Sequence, residues 1–171
     1  MIDKVSLYRN IFRLRPFTNF NQTLNNWNVS NITSMQGVFT GATHFNQPLN
    51  NWNVSKVTNM KFMFYLTQFN QPLNNWNVSN VTNMQGMFYG ATHFNQNIRM
   101  WNTSNVSYYT RMFSYATQMH IIYTGVTGFG DTPTSSFFNQ GTTQNTQSQN
   151  TQNYTIIKGR KSMKKLLKLK I

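Results

Sequence analysis

The sequence has no cysteine and no glutamate, and its only side-chain carboxylates are Asp3 and Asp131. Without cysteine there is no disulfide, no thiolate zinc site and no thiol nucleophile, and nothing marks the redox state of the compartment. Two carboxylates in 171 residues leave catalysis little material. A paired-carboxylate centre requires Asp3 to meet Asp131, and a Ser-His-Asp arrangement must recruit one of them. A glycine-rich phosphate loop with its lysine is also missing. In the opening MIDKVSLYRNIFRLRPF, the charges Lys4, Arg9, Arg13 and Arg15 interrupt every apolar stretch, so it reads neither as a signal peptide nor as a spanning helix. The expectation is a chain that is not an enzyme, with no catalytic residues, no metal and no cofactor.

What is present in quantity is positive charge, aromatic rings and repetition. Fifteen Lys and Arg give a net charge of +13, which favours anionic partners or simply keeps the chain soluble. The tryptophans Trp27, Trp52, Trp76 and Trp101 are 25, 24 and 25 residues apart, and Phe-Asn-Gln triplets beginning at Phe20, Phe45, Phe69 and Phe94 keep the same intervals. Such a period marks a stacked repeat architecture. Apolar columns follow through all four units: Leu24, Leu49, Leu73 and Ile98; the tryptophans; Val29, Val54, Val78 and Thr103; Ile32, Val57, Val81 and Val106. Met35, Met60, Met84 and Tyr109 come next, then the pairs Val38-Phe39, Met63-Phe64, Met87-Phe88 and Met112-Phe113.

In each unit the spacing Leu-x-x-Trp-x-Val suits a turn feeding a short strand, and the steps of three that follow suit a helical or 3-10 return. The order Leu-x-x-aromatic-x-Val is that of a leucine-rich repeat with tryptophan in the second slot. The expected fold is therefore an α/β repeat. It is a leucine-rich-repeat-like right-handed solenoid of about four rungs of 24–25 residues, with short parallel strands on one face and helical or 3-10 turns on the other. Residues 1–19 read as an N-terminal half-repeat cap, 20–118 as the solenoid, and 119–140 as a closing segment anchored by Phe137 and Phe138. Residues 141–157 read as an Asn/Gln/Thr-rich linker and 158–171 as a basic amphipathic tail.

The unit FNQPLNNWNVSNVTNMQGMFYGATHFNQ resembles the BspA-like leucine-rich-repeat family, also known from Mycoplasma-type surface proteins of unknown function. The segment GFGDTPTSSFFNQ is similar to the closing segment of members from protists and large DNA viruses. The resemblance implies a solenoid for adhesion or protein binding, surface or virion associated, with no catalytic residues to carry over.

Two sets of residues are candidate sites. If Trp and Val face inward, the alternating Asn28, Asn53, Asn77 and Asn102, with Ser30, Ser55, Ser79 and Ser104, face outward as two uncharged ladders repeating at about 4.8 Å. They either recognise protein or glycan hydroxyls, or only satisfy their neighbours and their own turns. The same asparagines head Asn-x-Ser sequons that the repeat generates automatically. The second set is Lys158, Arg160, Lys161, Lys164, Lys165, Lys168 and Lys170 in the tail. It suits nucleic-acid phosphates, an anionic membrane reached through Met163, Leu166 and Leu167 at helical spacing, or a solvated basic end. His44 and His93, two rungs apart, are too far from each other to share a metal.

Overall fold

The computed structural model describes residues 19–139. The chain divides into two units, Met1–Gln140 and Gly141–Ile171, and all described residues belong to the first. The N-terminal half-repeat, the linker and the basic tail expected from the sequence lie outside the described residues, apart from Asn19.

Each rung is a succession of tight turns. Backbone amides bond back three residues from Trp27 to Leu24, Ile32 to Val29, Val38 to Met35, Thr40 to Gly37, Ala42 to Phe39 and Phe45 to Ala42, and the pattern recurs in the following rungs. Gly37 and Gly41 have φ of 65° and 72°, the left-handed geometry that the third residue of a type II turn requires. Between these turns the amides of Met35, Gly37, Phe39 and Gly41 point along the stack, donating to the carbonyls of Asn59, Lys61, Met63 and Tyr65 at 2.8–3.0 Å. The third rung receives the same four bonds from Met60, Phe62, Phe64 and Leu66, and the fourth from Met84, Gly86, Phe88 and Gly90.

Consecutive rungs are joined by parallel bridges at Ser34, Asn59, Asn83 and Tyr108. These positions lie in the part of the repeat where the steps of three predict a helical or 3-10 return. Among the described residues no helix falls inside the four rungs, and the Trp-x-Val stretch expected as a strand forms no bridge. The reason lies in where the amides go. Around each tryptophan they are consumed by local turns, whereas the left-handed residues downstream swing every second amide toward the next rung.

The core is a set of aligned columns. Phe39, Phe64, Phe88 and Phe113 stack at 5.4–5.9 Å, and Phe20, Phe45, Phe69 and Phe94 at 5.8–6.3 Å. The two columns also stack on each other within rungs at 3.9–4.2 Å. Leucine, valine and methionine columns fill the remaining interior. Each buried indole N–H finds the backbone of the rung before: Trp52 Nε1 donates to Leu24 O, Trp76 to Leu49 O and Trp101 to Leu73 O, at 2.9–3.2 Å. Tryptophan is thus a core residue that also links one rung to the next.

After the fourth rung comes α1, Thr117–Tyr123, which buries Met119 and Tyr123, and then a 3-10 turn, Ser135–Phe137. The segment continues the hydrogen-bonding of the stack. Phe113 N donates to Asp131 O and Arg111 N to Thr132 Oγ1, where earlier rungs meet a further rung. Asn139 N donates to Trp101 O, and Asn139 Oδ1 accepts from Thr103 N. Phe137 and Phe138 are buried against Phe113, Tyr123 and Tyr109. Gly128 makes the fit possible, since a Cβ there would sit 2.5 Å from Phe137 N.

Candidate functional site

The asparagine column beside the tryptophans is exposed in all four rungs. Each oxygen is committed to its own loop: Oδ1 of Asn28, Asn53, Asn77 and Asn102 accepts from the backbone N–H of Ser30, Ser55, Ser79 and Ser104 at 3.1 Å. Ser30 Oγ also donates to Asn28 Oδ1. These are Asx turns, which explain the residue type without a ligand. The asparagine oxygen fixes the turn, and the exposed Nδ2 amides form no hydrogen bond among the described residues.

Rung-to-rung side-chain bonding runs through other asparagines. Asn46 N donates to Asn21 Oδ1, Asn70 N to Asn46 Oδ1 and Asn95 N to Asn70 Oδ1, at 2.8–3.0 Å. Gln47, Gln71 and Gln96 donate their Nε2 amides to the same three oxygens. The Phe-Asn-Gln triplet is therefore a structural ladder. The column after the serines adds links of its own: Lys56 Nζ donates to Asn31 Oδ1, Asn80 Nδ2 to Ser55 O and Asn105 Nδ2 to Ser79 O.

Sequence reasoning missed a second surface, on the side carrying the left-handed turns. At the two positions where rungs one and three use glycine, rung two carries Phe62 and Leu66 and rung four Arg111 and Tyr115, all with φ between 55° and 60°. Each non-glycine residue there costs about 1–2 kcal/mol. Between them stand Tyr65 and Tyr89, stacked at 4.8 Å, with Phe62 edge-on to Tyr65 and Tyr115 edge-on to Tyr89. Lys61 Nζ lies 5.0 Å from the Phe62 ring. Leu66 and Tyr115 are 45% and 70% exposed, an unusual degree for large apolar or aromatic groups held in a strained backbone. The Tyr89 phenol is pushed above its ordinary value of 10.0 by desolvation among its neighbours and then by repulsion from Tyr115 and Tyr65, with Arg111 opposing. The signal in the sequence is the bulky residue in a glycine column.

The histidines make local contacts: Nδ1 of His44 and of His93 sits 3.3 and 3.2 Å from the hydroxyl of the preceding threonine. His120 Nε2 lies 3.0 Å from Asp131 Oδ1, a pairing within the closing segment. Among the described residues there is no group of three metal-ligating side chains, and no helix long and apolar enough to cross a membrane. The seven tail cations lie outside the described residues.

In-register turns, phenylalanine columns and an asparagine ladder are the physical content of one repeated unit, and residues 7–126 match the family described as Mycoplasma protein of unknown function, DUF285. The chain belongs to that family. The matched region takes in all four rungs of this DUF285 protein and ends just past α1. No curated protein and no solved structure matches the chain.

Proposed function

We propose that this DUF285 protein is a leucine-rich-repeat-like right-handed solenoid of the BspA-like type, and that it works as a non-enzymatic binding or structural module. It recognises protein or glycan in a surface- or virion-associated setting. The observation that carries this reading is the equivalence of the rungs at the surface. Asn28, Asn53, Asn77 and Asn102 occupy equivalent exposed sites, and each is anchored through Oδ1 by the same turn. A regular row of amide donors on a rigid frame is suited to hydroxyl and carbonyl acceptors of an extended partner.

The test uses that geometry. Asn53→Asp together with Asn77→Asp keeps the Oδ1 acceptor, and so the turn, while replacing each amide donor with a carboxylate. Wild type and variant are compared on a panel of immobilised glycans and surface proteins, with melting curves alongside. Lost binding at an unchanged melting temperature supports recognition through this row. Unchanged binding assigns the row to turn structure alone, and a wild-type chain that binds nothing on the panel removes the binding reading.

A second reading rests on the seven positive charges in the last fourteen residues. It is electrostatic binding of nucleic acid or an anionic membrane through the tail, with the repeats as a spacer. Full-length chain and a version ending at Asn153 are titrated with DNA and anionic vesicles at two salt concentrations. Binding that is salt-insensitive or independent of the tail eliminates this reading.

A further inference from the structure

The glycine columns at the left-handed turns are covered at one rung and bare at another. Rung two sends Phe62 and Leu66 over rung three: a Cβ at Gly86 would lie 2.4 Å from the Phe62 ring, and one at Gly90 would lie 2.4 Å from Leu66 Cδ2. In both cases the covering side chain comes from the rung before. Rung one carries glycine at the same two positions, Gly37 and Gly41, with φ of 65° and 72°. Among the described residues nothing stands over them. A Cβ at Gly41 would meet no atom within 4 Å, and one at Gly37 only Thr40 Oγ1 of its own turn, at 3.3 Å. The backbone of rung one is unmatched on the same side. The carbonyls of Lys61, Met63 and Tyr65 accept amides from the rung before, whereas no described amide donates to the corresponding carbonyls of Gln36, Val38 and Thr40. A row of acceptors at the end of a stack calls for a cap, since an open edge pairs with other chains.

We propose that residues 5–14, which precede the described stack, are the half-rung that occupies this end, with Asn10 over Gly37 and Leu14 over Gly41. The register selects the occupant. Val5, Tyr8, Ile11 and Phe12 repeat the steps of three, three and one that run through Ile32, Met35, Val38 and Phe39. In every described rung the left-handed positions fall two residues after the Met35-column residue and two after the phenylalanine, which in this segment are Asn10 and Leu14. Both side chains suit the role. Asparagine enters the left-handed region more readily than most residues, and leucine is what rung two already uses to cover Gly90. Rungs with a side chain and rungs with glycine then alternate through the whole stack, from Asn10 and Leu14 to Arg111 and Tyr115. In this register the amides of Asn10, Phe12 and Leu14 meet the carbonyls of Gln36, Val38 and Thr40, as those of Gly37, Phe39 and Gly41 meet Lys61, Met63 and Tyr65. The family match, which begins at residue 7, takes in most of the segment.

The chain has no cysteine, so the test is a pair of thiols introduced into the full-length protein. Neighbours in one column of a parallel pair lie about 4.8 Å apart, within the Cα separation that a disulfide spans. Arg9 and Gln36 share a column in the proposed register. Arg9→Cys with Gln36→Cys is expected to lose both free thiols to an intramolecular disulfide on mild oxidation. Arg9→Cys with Thr40→Cys, four residues out of register, is expected to keep them. Equal cross-linking of both pairs, as a segment without fixed register would give, overturns the proposal, and so does cross-linking of neither. A substitution cycle checks the contact itself. Gly41→Ala is expected to lower the melting temperature further in the wild-type chain than in a Leu14→Gly chain, where the added methyl meets no side chain. Equal shifts in the two backgrounds overturn the placement of Leu14 even where the cross-link forms. Neither measurement involves a ligand, so the result is independent of the binding reading.

Discussion

Thr103 is the residue at which the repeat departs most sharply from its own chemistry. It occupies the column of Val29, Val54 and Val78, is fully buried, and its Oγ1 has no hydrogen-bond partner. Threonine and valine have nearly the same shape, but a buried hydroxyl without a partner costs about 1–3 kcal/mol. Thr103→Val is therefore expected to stabilise the protein by roughly 1–2 kcal/mol, read as a higher denaturant midpoint at constant slope; a lower midpoint would mean that the hydroxyl is satisfied in solution. Tyr109 gives a second residue-scale test. Its hydroxyl donates to Thr103 O at 3.2 Å, and desolvation by burial raises it above the ordinary 10.0. Tyr89 is raised as well. A phenol whose folded pKa is raised contributes stability that is complete below the unfolded value and is lost as pH rises through the folded one. Melting temperature should fall as pH rises above about 10. Tyr109→Phe, which cannot ionise, should make that fall shallower; an equally steep fall would place the titration elsewhere.

At the scale of the repeat, two asparagine columns look alike in sequence and have different work. Asn70 Oδ1 accepts from Asn95 N and Gln96 Nε2 and so joins two rungs, whereas Asn77 Oδ1 serves only the Ser79 amide of its own turn. Asn70→Ala should cost about 1–3 kcal/mol, since Asn95 N loses its acceptor and Gln96 Nε2 loses one of its three, and Asn77→Ala about 1 kcal/mol or less. Equal losses in denaturant melts would contradict the ladder. The left-handed turns give a sharper test. Gly86 has φ of 57° and a Cβ there would enter the Phe62 ring, so Gly86→Ala should destabilise by about 2–4 kcal/mol. In a Phe62→Gly background the steric part disappears, and the same substitution should cost only about 1–2 kcal/mol. Additive effects would mean that the two residues do not meet. The period of 24–25 residues and the inward columns were legible because apolar residues recur at fixed intervals. The place of the bridges was not. Spacing of three fits a 3-10 segment and a run of type II turns equally well, and what separates them is the sign of φ at Phe62, Leu66, Arg111 and Tyr115, residues that do not advertise a left-handed backbone.

At the scale of the whole described stack, each rung contacts only its neighbours, so stability is a sum of rung and interface contributions and the ends are its weak points. The closing segment was legible as an end because glycines and a proline break the columns there. Its manner of binding, which supplies Asp131 O and Thr132 Oγ1 to amides that would otherwise meet a fifth rung, depends on a chain path that no periodicity encodes. Phe137 is the keystone of that closure: fully buried, it touches Phe113, Tyr123, Phe129 and Phe138. Phe137→Ala should cost about 3–5 kcal/mol. In a nearest-neighbour stack that loss has a direction. Hydrogen exchange should accelerate first at the amides of Arg111 and Phe113, less at Met84, Gly86 and Phe88, whose acceptors lie in the fourth rung, and least at Met35, Gly37 and Phe39. A uniform acceleration across all three interfaces would show instead that the rungs open as one cooperative unit, in which case the closing segment stabilises the stack as a whole and not the rung it covers.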